Sequence, residues 1–402
     1  MAFDLLHGTF PIGGWAGPPG EVEGSPSFLE DKYFQLMRDS GINIMYANTE
    51  HNGSADVLRG LELCEKFGVY YLVNDNRYRN PLFTEEEGWK QYEIYAKYRS
   101  FVGIAAHDEP WLKDMENLGA GKKRHKRVFE RTCFHTNLFP VRCDSAGVTM
   151  RETHEPSSVE EYVNYIETYI RCVEPDHLSY DFYPFAWEFG KCHQEWFFQM
   201  EFIRKYAEKL NVPYWCFVQV TSWHKGIIRN TNETEIRWQA FTALAYGVKG
   251  INYFTYCTPV DRGGENFDEA MIDRHGNVTE SYYYVQRTNA RVSVIGKRLL
   301  YAKLKALIKP EMELAPIDSP LEAKEWQNLC GKEGDTVMVG CFEEKGTPVY
   351  MAVNTSLFDT AECTLKFKEN VRLRDVETSE VYEGKELKFT LAPADGICLE
   401  SI

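Results

Sequence analysis

A period constrains this chain more than any single motif. Eight short β-rich runs, FPIGGW (10–15), INIMYAN (42–48), VYYLVND (69–75), FVGIAAHD (101–108), FHTNLF (134–139), HLSYDFY (177–183), YWCFVQV (214–220) and GINYFTY (250–256), alternate with helical segments. Those segments include FLEDKYFQLMRDSG, ADVLRGLELCEKFG, SVEEYVNYIETYIRCV, HQEWFFQMEFIRKYAEKL and TEIRWQAFTALAYGVKG. Strand follows strand at roughly 30 to 40 residues, the length of a strand–helix–strand unit. Several helical segments end in glycine just before the next strand, where a left-handed residue closes a helix. Eight such units close into a barrel more readily than they stay open. The rival is a doubly wound sheet, but no G-x-G-x-x-G follows the first strand. The expected class is α/β, a (β/α)8 TIM barrel over residues 1–312.

The texture changes near residue 313. Before it, YYYVQRTNARVSVIGKRLLYAKLKALI reads as a long closing helical stretch. After it come short alternating runs broken by Gly, Asp, Asn and Lys, predicting a small C-terminal antiparallel β-sandwich over 313–402.

Composition narrows the partners. The net charge of −15 opposes nucleic acid and anionic membrane surfaces. The longest basic run, Lys122 to Arg127, falls in a predicted helix and reads as a solvated face. Eleven cysteines, none in a C-x-x-C pair, suit reduced thiols in a cytoplasmic protein better than a disulfide frame or a zinc site. The N-terminal MAFDLLHGTFPIGG has no basic region and no sustained apolar core, so it does not read as a signal peptide. No run approaches the roughly 18 apolar residues of a membrane span. The histidines show no metal-site spacing, and no cofactor is expected. An assembly of identical copies is left open.

In a barrel, chemistry gathers where the strands end. The fourth run ends in His107, Asp108, Glu109, Pro110 and Trp111. Pro110 cannot extend the ladder, so two acids and an aromatic plate are delivered to the rim. Other strand ends add Trp15; Asn48, Glu50 and His51; Asp75, Asn76 and Arg77; Asp181 and Tyr183; Gln219 and Trp223; Tyr253 and Tyr256; then Asp261, Arg262 and Glu265. Two carboxyl groups across a rim suit glycoside cleavage, in which one protonates the leaving oxygen. Glu109 is the candidate acid and Asp181 the second carboxylate. Asp108, Trp15, Asn48, Glu50, Asp75, His107, Trp111, Tyr183, Gln219, Trp223 and Tyr253 are candidate substrate contacts. Trp15, Trp111 and Trp223 are expected to form a sugar platform, because sugars stack their C–H faces on flat aromatic rings.

With these residues in view, the chain resembles bacterial glycoside hydrolases of the (β/α)8 superfamily that includes families 5, 39 and 42. Members carry an Asn-Glu-Pro motif after strand four, whose glutamate is the acid/base; Asp108-Glu109-Pro110 matches it with Asp for Asn. The segment EIRWQAFTALAYGVKGINYFTY (235–256) is similar to the seventh helix and eighth strand of family-42-like proteins from gut bacteria. The resemblance implies a glycosidase acting on small oligosaccharides or glycosides, β-galactosides among them. One departure stands out. Retaining members place a nucleophilic glutamate at the end of strand seven, and here WCFVQVTSW offers Gln219, with no acid until Glu233. An amide cannot be that nucleophile. Three readings follow: another acid, first Asp181, serves in an inverting reaction; the chain is an inactivated variant in which Gln219 replaces the nucleophilic glutamate; or the barrel binds glycans without cleaving them. A barrel lyase or isomerase would need a metal-binding cluster that the sequence does not display.

Overall fold

The computed structural model describes residues 5–21, 26–46, 54–74, 93–141, 158–186, 189–223, 228–261, 265–310 and 321–402. Eight parallel strands form the first sheet: β1 (Ile12–Gly14), β2 (Ile44–Tyr46), β3 (Tyr70–Val73), β4 (Phe101–Asp108), β5 (Cys133–Asn137), β6 (Leu178–Tyr180), β7 (Tyr214–Gln219) and β8 (Ile251–Phe254). Their order is β5-β4-β3-β2-β1-β8-β7-β6. The two ends of that order meet through a parallel bridge between Leu138 and Tyr180, which closes the barrel. All eight expected strands are present.

Seven α-helices surround the described barrel: α1 (Asp31–Asp39), α2 (Ser54–Phe67), α3 (Met115–Val128), α4 (Val159–Val173), α5 (Phe189–Leu210), α6 (Glu233–Ala245) and α7 (Glu280–Leu299). Their starts are encoded locally. Ser158 Oγ caps α4 by accepting from Glu161 N at 3.2 Å. Asn232 and Glu235 cap α6 reciprocally, at 3.0 Å each way. The glycine stops are real: Gly41 and Gly68 have φ of +82° and +67° after α1 and α2. At Gly41 a Cβ would stand 2.8 Å from Asn289 Cβ, so α7 packs where a side chain would be.

The closing helix is shorter than expected. It stops at Leu299, and Lys303–Ile308 is a strand, β9, which pairs antiparallel with β11 (Val337–Glu344). The buried Ala306, Leu307 and Ile308 gain more from that ladder than from another helical turn. The second sheet therefore recruits residues ahead of 313. Its other strands are β10 (Leu329–Glu333), β12 (Thr347–Asn354), β13 (Ala361–Asp375), β14 (Val381–Leu391) and β15 (Gly396–Ser401), in the order β10-β13-β15-β12-β11-β9 with β14 against β13. β13 pairs with β10 through its first half and with β15 through its second, so one sheet supplies two layers. Alternation in β11 splits its side chains. Met338 and Phe342 join the barrel's core, and Val337, Val339 and Cys341 join a core of the second sheet.

The basic run is not wholly a solvated face. It lies in α3, and Lys122 and His125 are buried. Lys122 Nζ donates to Glu174 O and pairs with Asp176 at 3.3 Å, while Lys126 pairs with the same carboxylate at 2.9 Å. The lysines' aliphatic stems pack and their charged ends reach one acid and the carbonyls of Glu174 and Thr132.

Candidate active site

β4, β5 and β6 end side by side, and register brings their polar ends together. Asp108 sits opposite Asn137 in the β4–β5 ladder, and the Leu138–Tyr180 bridge carries β6 to the same height, with Asp181 next in the chain. Asn137 Nδ2 donates to Asp181 Oδ1 at 3.0 Å and to Asp108 Oδ1 at 3.4 Å. Ser179 Oγ donates to Asn137 Oδ1 at 3.1 Å, which fixes the amide with its N–H groups toward the acids. Two carboxyl groups thus converge on one buried amide.

That convergence acts on Asp181. Burial, first, and then the charge of Asp108 push its carboxyl up to about 7, against smaller opposing hydrogen bonds from Asn137 and Tyr183. A buried acid beside a second carboxyl group ionises less readily, so Asp181 keeps its proton to higher pH than a free aspartate.

Glu109 leaves the strand by an unusual route. Its φ is +48°, in the left-handed region that glutamate rarely adopts, while its N–H still donates to Asn137 O at 2.9 Å. Backbone strain of this kind concentrates at functional sites, where the surroundings hold it. It turns the chain sharply between Asp108 and Pro110. His107 Nδ1 lies 2.8 Å from Asp108 O and is half-buried at the same strand end.

The aromatic rim differs from three displayed tryptophan plates. Trp15 is 9% exposed and packs its ring against Tyr46 and Phe217, each at 5.7 Å. Trp223 is 8% exposed, 4.6 Å from Tyr183 edge-on and 4.8 Å from Phe254. Trp111 is half-buried, with Lys113 Nζ 4.2 Å above its ring. The half-buried rings of this rim are Trp111, Tyr183 and Phe254, with Trp223 packed against the last two. Aromatic rings at a barrel mouth first satisfy one another.

Two expected contacts are turned elsewhere. Tyr253 is fully buried outside the barrel, its hydroxyl donating to Asn289 Oδ1 of α7 at 2.7 Å. Alternation along β8 sends Asn252 and Phe254 to the other side instead. Gln219 is also fully buried. Its Oε1 accepts from Phe185 N at 3.0 Å, and its Nε2 donates to Phe185 O at 3.1 Å and Arg229 O at 2.7 Å. The amide acts as a short piece of backbone joining the β6 and β7 exits. Nε2 faces two carbonyl oxygens, so a carboxylate in its place would meet repulsion. The glutamine is fitted to this packing. Asp261 is committed to Arg274 and to Phe267 N, and Glu265 is exposed. Asn48, Glu50, His51, Asp75, Asn76, Arg77 and Arg262 lie outside the described residues.

Asn137 is absent from the candidates although it is the one amide of the run FHTNLF (134–139), and β5 ends at it. A second omission is a buried cluster of Cys133, His135 and His177 inside the barrel, with donor atoms within 4.8 Å of one another. Its trace in sequence is the Cys-x-His alternation at 133 and 135, which puts both side chains on one strand face. A cleft of about 310 Å³ opens at the β1 and β8 ends, between Ala16, Phe28, Pro259 and Arg274, and none of the three converging residues lines it. The acid that lines the cleft, Asp261, is paired there with Arg274.

A family model described as beta-galactosidase, glycoside hydrolase family 42, matches residues 144–295, from ahead of α4 into α7. The chain is a glycosidase built on a (β/α)8 barrel and is similar, over that stretch, to family 42. Solved structures show the same fold. A catalytic mutant of Gan42B, a GH42 beta-galactosidase from G. stearothermophilus, superposes with a TM-score of 0.62 at 9% identity, covering 98% of each chain. The beta-galactosidase from Bacillus circulans sp. alkalophilus gives 0.57 at 10% identity, covering 98% of the glycosidase and 99% of that chain. A maltogenic alpha-amylase, AmyB from Thermotoga neapolitana, gives 0.50 at 11%, covering 99% and 100%. No curated protein gives a significant match. No described helix of the glycosidase is long and apolar enough to cross a membrane.

Proposed function

We propose that this glycosidase cleaves small oligosaccharides or glycosides, β-galactosides among them, with Glu109 as general acid and Asp181 as the second carboxyl group. The observation that carries the reading is the convergence of Asp108 and Asp181 on Asn137, one residue from the strained Glu109. Gln219 is engaged with backbone, so no carboxylate of β7 competes for the second role. In this mechanism Glu109 protonates the glycosidic oxygen while Asp181, once deprotonated, takes a proton from the attacking water, inverting the anomeric centre. Asp108 and His107 would bind sugar hydroxyls, and Tyr183 with Phe254 would receive a sugar face. The nine described cysteines, all free, support a reducing, cytoplasmic setting.

The test is a screen of chromogenic glycosides, followed by proton NMR of the first-formed anomer. Inversion supports the Glu109–Asp181 pair; retention would require a covalent carboxylate nucleophile and remove Asp181 from the role of base. The rival is a glycan-binding barrel without turnover, favoured by the structural use of Gln219. Binding without hydrolysis across the screen would select it.

A further inference from the structure

The barrel is laddered strand to strand except at one seam. β5 and β6 share no ladder among the described residues. They meet at the Leu138–Tyr180 bridge near the rim, where Leu138 N donates to Ser179 O at 2.9 Å. Below that bridge, side chains close the gap. Cys133 and His135 come from β5, and His177 is the residue before β6. His135 Nδ1 is 2.9 Å from His177 Nε2, and Cys133 Sγ is 4.0 Å from His177 Nδ1. All three residues are buried. Trp215 and Tyr46 wall the group, with ring centroids 4.7 Å from His177 and 5.0 Å from His135. His135 Nε2 is buried and makes no hydrogen bond among the described residues.

We propose that Cys133, His135 and His177 form a site for a zinc-class divalent cation that ties β5 to β6 from inside the barrel. One thiolate and two imidazoles suit a borderline-soft ion, whereas magnesium and calcium require oxygen donors. Zinc takes nitrogen at about 2.0–2.1 Å and sulfur at about 2.3 Å, so tetrahedral donors stand about 3.3–3.6 Å apart. The 2.9 and 4.0 Å contacts reach opposite nitrogens of the His177 ring; taking one donor atom from each residue, the three lie within 4.8 Å of one another, and a shift shared among the three side chains closes them on the ion. On binding, the Cys133 thiol loses its proton to solvent, sulfur donates a lone pair to the ion, and the His135–His177 hydrogen bond is exchanged for metal–nitrogen bonds. The position makes the ion structural, a cross-link at the edge of the barrel that backbone hydrogen bonds leave nearly open. The proposal is independent of the glycosidase mechanism.

The experiment uses the full-length protein, stripped by chelator and reloaded with Co²⁺ or Zn²⁺. We expect about one metal per chain by elemental analysis. We also expect a thiolate-to-cobalt charge-transfer band, and a melting temperature raised by zinc but not by magnesium. Cys133→Ser should lose the band. Cys330→Ser, which removes an exposed thiol, should keep it. Should Cys133→Ser fail to fold, stoichiometric displacement of the wild-type band by zinc, with Cys330→Ser unchanged, supports the site. Substoichiometric metal, no charge-transfer band, or a band lost with Cys330 would overturn it and leave a hydrogen-bonded imidazole pair.

Discussion

At the scale of residues, Asp181 is the most informative group because its ionisation can be read two ways. Its carboxyl is raised to about 7 by burial and Asp108, so between about pH 4 and 7 the folded protein holds a proton that the unfolded chain releases. Stability contributed by this group is present at low pH and falls as pH rises through 7. Asp181→Asn mimics the neutral acid and should flatten that decline, giving a melting temperature at pH 8 at or above wild type. An unchanged slope in melting temperature against pH would show that the raised carboxyl is elsewhere. In turnover, a base must be deprotonated, so the rate should climb with pH through an inflection near 7 and lose that inflection in Asp181→Asn. Glu109→Gln should lower hydrolysis of glycosides with poor leaving groups by about a hundredfold or more while leaving the fold intact. Near-normal turnover would remove Glu109 from the mechanism. Gln219→Glu tests whether the amide is structural. Replacing two buried donations with a carboxylate facing carbonyl oxygens should cost about 3 kcal/mol or more, read by urea titration, with no gain of activity.

At the scale of elements, the loop from β7 to α6 is held by interlocking caps. Glu235 accepts from Asn232 N, and Arg229 grips the same carboxylate in a two-pronged pair. The Arg229 carbonyl in turn receives the Gln219 amide. Asn232→Ala should cost about 1 kcal/mol by losing the α6 cap. A thermal shift indistinguishable from zero would mean that the arginine pair alone holds the turn. Period-two alternation explains which strand residues face the site, and also why Tyr253 does not. It runs one residue out of step with what its place near the strand end suggests.

At the scale of the whole molecule, the second sheet is fastened to the last two barrel helices. Trp238 Nε1 donates to Thr355 O at 2.9 Å, Arg291 pairs with Glu377 and Asp395, and Arg298 bridges Glu344 and Glu400. The fit is tight: a Cβ at Gly340 would stand 2.2 Å from Ala245 O at the end of α6. α6 is buried on nearly all sides because it lies between β7 and this sheet. Calorimetry should therefore show one cooperative transition, and Gly340→Val should lower its midpoint strongly. Two resolved transitions would mean that the sheet and the barrel unfold independently.

The period of the chain by itself determined the barrel, because strand lengths are local and recur eight times, with helical segments between them and glycine stops after several. The run ending at Asp108-Glu109-Pro110 likewise placed two acids at the rim, since proline must end the ladder there. Tertiary structure decided what distant residues do to one another. Asn137 became the amide joining Asp108 and Asp181 only through the register of three strands. Gln219 became a structural clasp because the Phe185 and Arg229 backbones arrive beside it. Residues 303–308 became a strand because β11 offered an open edge, and Cys133, His135 and His177 became a cluster because closing a barrel sets β5 against β6. Local propensity carries no information about such encounters; they arise when segments far apart in sequence compete for the same buried space.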